Sequence, residues 1–246
     1  MKSLFLVIVP VTLLIVSGCK SERPELSKPT PGTSVSTSDP GPEKIVVPEK
    51  PKETLEAPET TEKEMVLFDG KQMGQWVPAE YVEGGKVELK DSMIVIEKGN
   101  DMTGIKWTGP LMRMNYELTL EAMRIDGEDF FCGLTFPYGN APCTLICGGW
   151  GGSLVGLSNI DYYDAANNQT CTSRTFENGK WYPIRLRVTS DKIEAWIEGD
   201  DKIIDFETAD HKIGIRFEVS PCKPLGIATW RTTGAVRNIK VVRITP

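Results

Sequence analysis

The side chains able to do chemistry in this chain are few, and most are carboxylates. His211 is the single histidine, set in Asp210-His211-Lys212. No second histidine or cysteine is close to it in sequence, so it reads as an exposed structural residue rather than part of a relay. A histidine-rich metal site is excluded. No nucleophile elbow marks a serine hydrolase. Acid–base work therefore falls to Asp and Glu. Glu121, Asp129 and Asp161 are the candidates for catalysis. Glu117 and Glu121 share one face of an alternating segment, but on an extended strand they stand about 13 Å apart, too far to act as a pair. Each would need a partner from a neighbouring strand, and Asp129 and the Ile160-Asp161-Tyr162-Tyr163-Asp164 segment offer one. The plainer role for any of these is a solvated carboxylate on an outward sheet face.

The aromatic residues suggest what such carboxylates could act on. Trp196 lies with Glu194 and Glu198, out of phase with Ile193, Ala195 and Ile197. An indole beside carboxylates suits a pyranose, whose faces present C–H groups. The same indole would serve equally as the core of a two-sheet sandwich. Trp150 sits in Gly148-Gly149-Trp150-Gly151-Gly152. That run lacks the strand, Gly-x-Gly-x-x-Gly and helix order that cradles phosphate, and its glycines suit a tight corner. Trp230-Arg231 is an aromatic–cation pair suited to a sugar or a keto oxygen. Trp150, Trp196, Trp230 and Arg231 are thus the candidate substrate-binding residues, with packing as the competing role for each.

Strands must position these residues. Tyr116, Leu118, Leu120 and Ala122 alternate with Glu117, Thr119 and Glu121. Ile184-Arg185-Leu186-Arg187-Val188 repeats the pattern with arginines outward, and Thr189-Ser190-Asp191 turns the chain into Ile193–Glu198. Gly199-Asp200-Asp201 is the next turn, before Ile203-Ile204-Asp205-Phe206. Further strands are expected at 93–96, 129–136, 145–148, 213–219, 225–230 and 236–243. Period-two alternation with Gly/Asp turns and no long helical period predicts an all-β sandwich or barrel. The net charge of -6 is spread thinly, without a basic stripe, so nucleic acid is not an expected partner.

The N-terminal region has another character. Met1-Lys2, an apolar run from Leu4 to Val16, and the small residues Ser17-Gly18 before Cys19 read as a secretory signal. The run is shorter than the ~20 residues of a spanning helix, and Pro10 interrupts it. Val16-Ser17-Gly18-Cys19 resembles the bacterial lipobox, which implies a diacylglycerol thioether on Cys19. The alternative is an ordinary signal peptide cut near Gly18. Residues 20–64 are rich in Pro, Glu, Thr, Ser and Lys and hold no aromatic residue. Such a segment cannot bury enough apolar surface to offset chain entropy, and as a tether it would reach on the order of 100 Å. The expected organisation is a signal peptide at 1–18, a lipidated cysteine and disordered linker at 19–64, and one domain at 65–246. The expected location is the bacterial cell envelope, with the domain in the periplasm or at the surface and membrane contact through the lipid alone.

Of the six cysteines, Cys19 belongs to the anchor, leaving Cys132, Cys143, Cys147, Cys171 and Cys222. An odd number leaves one unpaired unless the protein dimerises through it. Apolar neighbours favour buried thiols, although an oxidising compartment would allow one disulfide. No metal ligand set and no cofactor is assigned. A β sandwich can hold Ca²⁺ through carboxylates and carbonyls, but no Asp/Asn loop here is assigned to it.

Several runs resemble one family. Val66-Leu67-Phe68-Asp69-Gly70-Lys71 followed by Gly74-Gln75-Trp76 is similar to the opening of the 3-keto-disaccharide hydrolase domain family. The resemblance continues through Tyr116–Arg124, Asp129–Pro137 and Gly148–Gly152, and closes with Gly179-Lys180-Trp181-Tyr182 and Gly226–Trp230. Gly179-Lys180-Trp181-Tyr182 before a hairpin is shared more loosely with laminin-G and concanavalin A-like domains. The resemblance implies a jelly-roll sandwich of two antiparallel sheets. It also implies a hydrolase of 3-keto-glycosides acting by elimination and hydration. No Glu-x-Asp-x-x-Glu strand of the laminarinase type is present, which counts against direct β-glucan hydrolysis. Two other functions stay open, a non-catalytic lectin-like module and a structural envelope protein. The enzyme requires facing carboxylates within ~10 Å beside a tryptophan. The lectin requires an exposed aromatic platform without such a pair, and the envelope protein requires neither.

Overall fold

The computed structural model describes residues 58–199 and 201–245. The expected signal peptide, Cys19 and the spacer as far as residue 57 lie outside the described residues.

The chain forms two stacked antiparallel sheets. In chain order the strands are β1 (Glu64–Phe68), β2 (Trp76–Pro78), β3 (Val87–Lys90), β4 (Met93–Ile96), β5 (Met102–Trp107), β6 (Tyr116–Asp126), β7 (Cys132–Tyr138), β8 (Ala141–Gly148), β9 (Leu154–Ser158), β10 (Thr172–Ser173), β11 (Trp181–Val188), β12 (Lys192–Ile197), β13 (Lys202–Glu207), β14 (Gly226–Trp230) and β15 (Thr233–Arg243). The first sheet runs β13-β12-β11-β6-β15-β4-β3, with β1 also paired to β15. The second runs β10-β9-β8-β7-β14-β5-β2. Among the described residues no helix is long and apolar enough to cross a membrane.

Alternation builds the core as the sequence predicts. Tyr116, Leu118, Leu120 and Ala122 of β6 are buried, and Glu117, Thr119 and Glu121 face outward. Leu120 and Leu118 pair with Ile184 and Leu186 of β11. These side chains pack in one cluster with Leu134, Phe136, Leu145 and Leu157 of the second sheet. Each fully buried aliphatic or aromatic side chain contributes roughly 1.5–3 kcal/mol. The outward ion pairs, such as Arg187 Nη2 to Glu117 Oε2 at 3.0 Å, contribute about 0–1 kcal/mol each. Apolar burial therefore dominates, and the charged lace on the outer face sets register more than stability.

Two sequence expectations need correction. The segment 213–219 is not a strand. Ile213 makes one isolated bridge to Ile160, and a 3-10 turn follows at Phe217–Cys222. Pro221 removes a ladder donor there, and the turn packs across the outer face of the second sheet. A Cβ at Gly226 would lie 2.5 Å from the Cys222 carbonyl oxygen, so only glycine lets the turn seat this closely. Strands β5 and β9 were not expected, because both faces of each are covered and alternation is lost. No disulfide forms among Cys132, Cys143, Cys147, Cys171 and Cys222; Cys171 is exposed and the others are buried. Burial pushes the Cys143 thiol up to about 12, as expected of an inert core thiol.

Candidate functional site

The outer face of the second sheet is unusually bare. Thr135, Thr144 and Ser158 are register partners across β7, β8 and β9, forming one row of hydroxyls. The Thr135 and Thr144 hydroxyls lie 3.0 Å apart. The next row is Gly104, Ala228, Gly133, Ile146 and Gly156. Small residues in that row leave room above the sheet, and a pocket of about 280 Å³ occupies it. Thr144, Ile146 and Ser158 line it from the sheet, and Met102, Phe130 and Val219 add apolar surface.

The polar groups of the pocket arrive from separate segments. Asp129 comes from the connection between β6 and β7. Its Oδ1 accepts from the Phe130 amide at 2.7 Å, and its Oδ2 accepts from the Gly151 amide at 3.3 Å. Trp150 stands on the adjacent turn, and Trp230 ends β14; both line the pocket. Arg216 and Glu218 reach it from the start of the 3-10 turn. The Arg216 guanidinium donates to Glu218 Oε1 from Nη2 at 2.6 Å and to Oε2 from Nε at 3.3 Å. Those hydrogen bonds outweigh partial desolvation and hold the Glu218 carboxyl below the usual carboxylate range. Arg216 Nη1 also donates to Asp164 Oδ2 at 3.0 Å. The pocket thus holds two carboxylates, a cation, hydroxyls and two indoles, a set suited to a polyhydroxylated ligand and to proton transfer.

Arg124 supports this arrangement from behind. It is 6% exposed and donates to the Phe176 carbonyl at 2.6 Å, to Asn178 Oδ1 at 2.7 Å and to the Gly152 carbonyl at 3.3 Å. Its guanidinium also lies 5.7 Å from the centre of the Phe131 ring. A buried cation with these partners fixes the turn that carries Trp150. Gly152, at φ 101°, has no space for a Cβ, which would stand 2.9 Å from both Arg124 Nη1 and the Glu128 carbonyl oxygen.

The sequence candidates divide between this pocket and other places. Asp129, Trp150 and Trp230 meet in it. Glu121 and Trp196 lie on the outer face of the other sheet, in a shallow depression of about 370 Å³. There Glu121 accepts from Arg237 Nη2 at 2.6 Å and from Asn238 Nδ2 at 2.6 Å. Burial opposes its ionisation, but the Asn238 and Arg237 hydrogen bonds prevail and hold the carboxyl low. Trp196 is 7% exposed, and the Arg185 guanidinium lies 3.9 Å from its ring centre. It belongs neither to the core between the sheets nor to an open platform, because a cation covers the face a sugar would use. Asp161 Oδ2 lies 2.7 Å from His211 Nδ1, and Oδ1 accepts from the Lys212 amide at 2.8 Å. This pair closes the loop 159–164 against residues 211–214, outside the pocket lining. Arg231 is turned to Asp101, with Nη2 to Oδ1 at 2.6 Å, beside the Trp230 ring. Among the described residues no group of three or more His, Cys, Asp or Glu side chains is placed to hold a metal ion.

Arg216, Glu218, Thr144 and Ser158 were not singled out from the sequence. The alternation of Ile213, Ile215, Phe217 and Val219 disguised the 213–219 segment as a strand, and only Pro221 argued against it.

The family profile of the 3-keto-alpha-glucoside-1,2-lyase-like domain matches residues 63–242. The chain belongs to this family. That match spans both sheets and every wall of the pocket. No curated protein matches the chain. Among solved structures, the Crh5 transglycosylase in complex with NAG is 13% identical, with a TM-score of 0.55, covering 77% of this chain and 88% of that one. A laminarinase from Flavobacterium sp. UMI-01 is 9% identical, with a TM-score of 0.50, covering 73% of this chain and 98% of that one. At such identities the likeness shows the fold, a two-sheet jelly roll.

Proposed function

We propose that this carbohydrate-active domain cleaves 3-keto-glycosides by elimination across C1 and C2, with water then adding to the unsaturated product. The observation that carries this is the meeting of Asp129, Glu218 and Arg216 with Trp150 and Trp230 in one pocket over a floor of small residues. The family match supports the choice of a keto-sugar.

The chemistry follows from the ketone. A carbonyl at C3 acidifies the C2 proton, so a carboxylate can remove it. The enolate places negative charge on the C3 oxygen, and collapse expels the C1 oxygen. In an α-glucoside the C2 hydrogen and the C1 oxygen point to opposite faces of the ring. Base and proton donor must therefore come from different segments. Glu218, kept ionised by Arg216, is the base. Arg216 balances the charge that develops on the C3 oxygen. Asp129, from the far connection, serves the departing oxygen. Trp150 and Trp230 offer apolar faces to the sugar ring. Export on a lipid at Cys19 would set this reaction in the cell envelope, within reach of sugars outside the cytoplasm.

The test is turnover of 3-keto-trehalose beside unmodified trehalose, with Glu218→Gln and Asp129→Asn. Cleavage of the keto sugar alone, lowered roughly 10²-fold or more by either substitution, is expected. Binding without cleavage would assign the domain to lectin-like recognition instead.

A further inference from the structure

Among the described residues the exposed aromatic side chains are Trp150, Tyr162, Tyr163 and Phe217, at 45%, 77%, 60% and 87% exposure. All four stand on the segments that frame the pocket. Trp150 is on the turn beside Asp129, Phe217 lies between the lining residues Arg216 and Glu218, and the tyrosines belong to the loop that Asp164 ties to Arg216. A soluble domain hides most of its aromatic surface, and aromatics left open around one cavity mark a contact surface.

Size indicates what that surface meets. The pocket, at about 280 Å³, sits at the lower end of ligand sites, which span ~300–1,000 Å³. It takes one sugar ring and little more, so any further ring must lie outside, on the rim. The rim is also braced. Lys212 Nζ donates to the Tyr162 hydroxyl at 3.1 Å and stands 5.1 Å from its ring centre. The pocket cation Arg216 is already neutralised by Asp164 and Glu218. The ring held in the pocket therefore fits better neutral than anionic.

We propose that Phe217, Tyr163, Tyr162 and Trp150 form a platform for the sugar residues beyond the ring held in the pocket. The domain is then selective for glycans of two or more rings over single-ring glycosides. Each added ring presents C–H groups to an aromatic face, while the pocket holds the terminal keto ring. This rests on the keto-sugar reading of the pocket.

The experiment is calorimetric binding on the Asp129→Asn background, in which turnover is slowed roughly 10²-fold or more. The probes are methyl α-glucoside, maltose and maltotriose, each oxidised at C3 of the non-reducing ring, beside unoxidised maltotriose. Affinity should rise about tenfold from one ring to three. Phe217→Ala with Tyr163→Ala should remove that gain and leave the one-ring affinity unchanged, since both side chains are exposed and outside the pocket lining. A gain that persists in the double variant overturns the proposal, as does affinity independent of chain length. Failure of every probe to bind overturns both the platform and the pocket reading. A rim-dependent gain that is equal for oxidised and unoxidised maltotriose supports the platform and overturns the keto-sugar reading alone.

Discussion

Arg216 Nη2 donates to Glu218 Oε1 at 2.6 Å, and the two side chains enter the pocket together from the start of the 3-10 turn. The pairing favours the ionised form of the Glu218 carboxyl, and in the proposed reaction it would place a cation beside the forming enolate.

One consequence is a pH signature. Arg216 hydrogen-bonds the ionised form of Glu218 and holds its carboxyl below the ordinary carboxylate range. A base works when deprotonated, so activity should persist on the acid side to below the ~4.3 of a free glutamate and fall only as pH drops through the lowered value. Arg216→Met should move that acid limb of kcat/KM upward in pH and lower kcat by roughly 10²-fold through loss of the cation. The kcat/KM–pH profile of both proteins checks this. An unmoved limb would remove Glu218 from the role of base.

Arg124 should matter to stability more than any other charged residue near the site. It is buried, and its donors satisfy carbonyls on the segments carrying Phe176 and Gly152. Arg124→Met should cost roughly 3 kcal/mol, since it removes several charge-assisted hydrogen bonds and strands their acceptors. Urea unfolding would measure this as a lower midpoint at unchanged slope. Because the Trp150 turn loses its support, sugar affinity should fall as well.

The two outer faces of the sandwich should separate cleanly by mutation. Glu121→Gln breaks the contacts to Arg237, which are half-exposed, and should cost less than about 1 kcal/mol. Trp196→Ala should cost on the order of 2 kcal/mol by exposing apolar surface. Neither should alter turnover or sugar affinity, whereas Asp129→Asn should. Steady-state kinetics on the three variants, with thermal unfolding alongside, distinguishes the faces. Lost turnover in Glu121→Gln with normal unfolding would move the site to the other sheet.

Much of the fold was legible in the sequence because β6, β11 and β12 each have one covered face, and alternation records it. Strands β5 and β9 were not legible because both their faces are covered, so Gly104 and Gly156 stand where a polar residue would otherwise mark the outside. Part of the pocket was legible for a related reason. Trp150 and Trp230 drew notice as large aromatics beside glycine or a strand end, and Asp129 as a carboxylate able to partner one on a neighbouring strand, although its expected strand begins only at Cys132. Glu121 was read as outward-facing and Trp196 was left open between core and outer face; period alone does not say which sheet's outer face carries the hollow. That depends on the row Gly104, Ala228, Gly133, Ile146 and Gly156, which comes from five strands far apart in sequence. Arg216 and Glu218 were hidden by the alternation of Ile213, Ile215, Phe217 and Val219, in which Phe217 is exposed rather than buried.

The most direct measurement is the fate of the C2 hydrogen. The keto sugar is cleaved in D₂O with an enzyme-free control, and the product is read by mass spectrometry and proton NMR. Elimination and hydration predict either the unsaturated 3-keto glycal or 3-keto-glucose carrying one deuterium at C2, above the control and lost in Glu218→Gln. Cleavage that retains the C2 proton, or that proceeds unchanged in Glu218→Gln, would contradict the account.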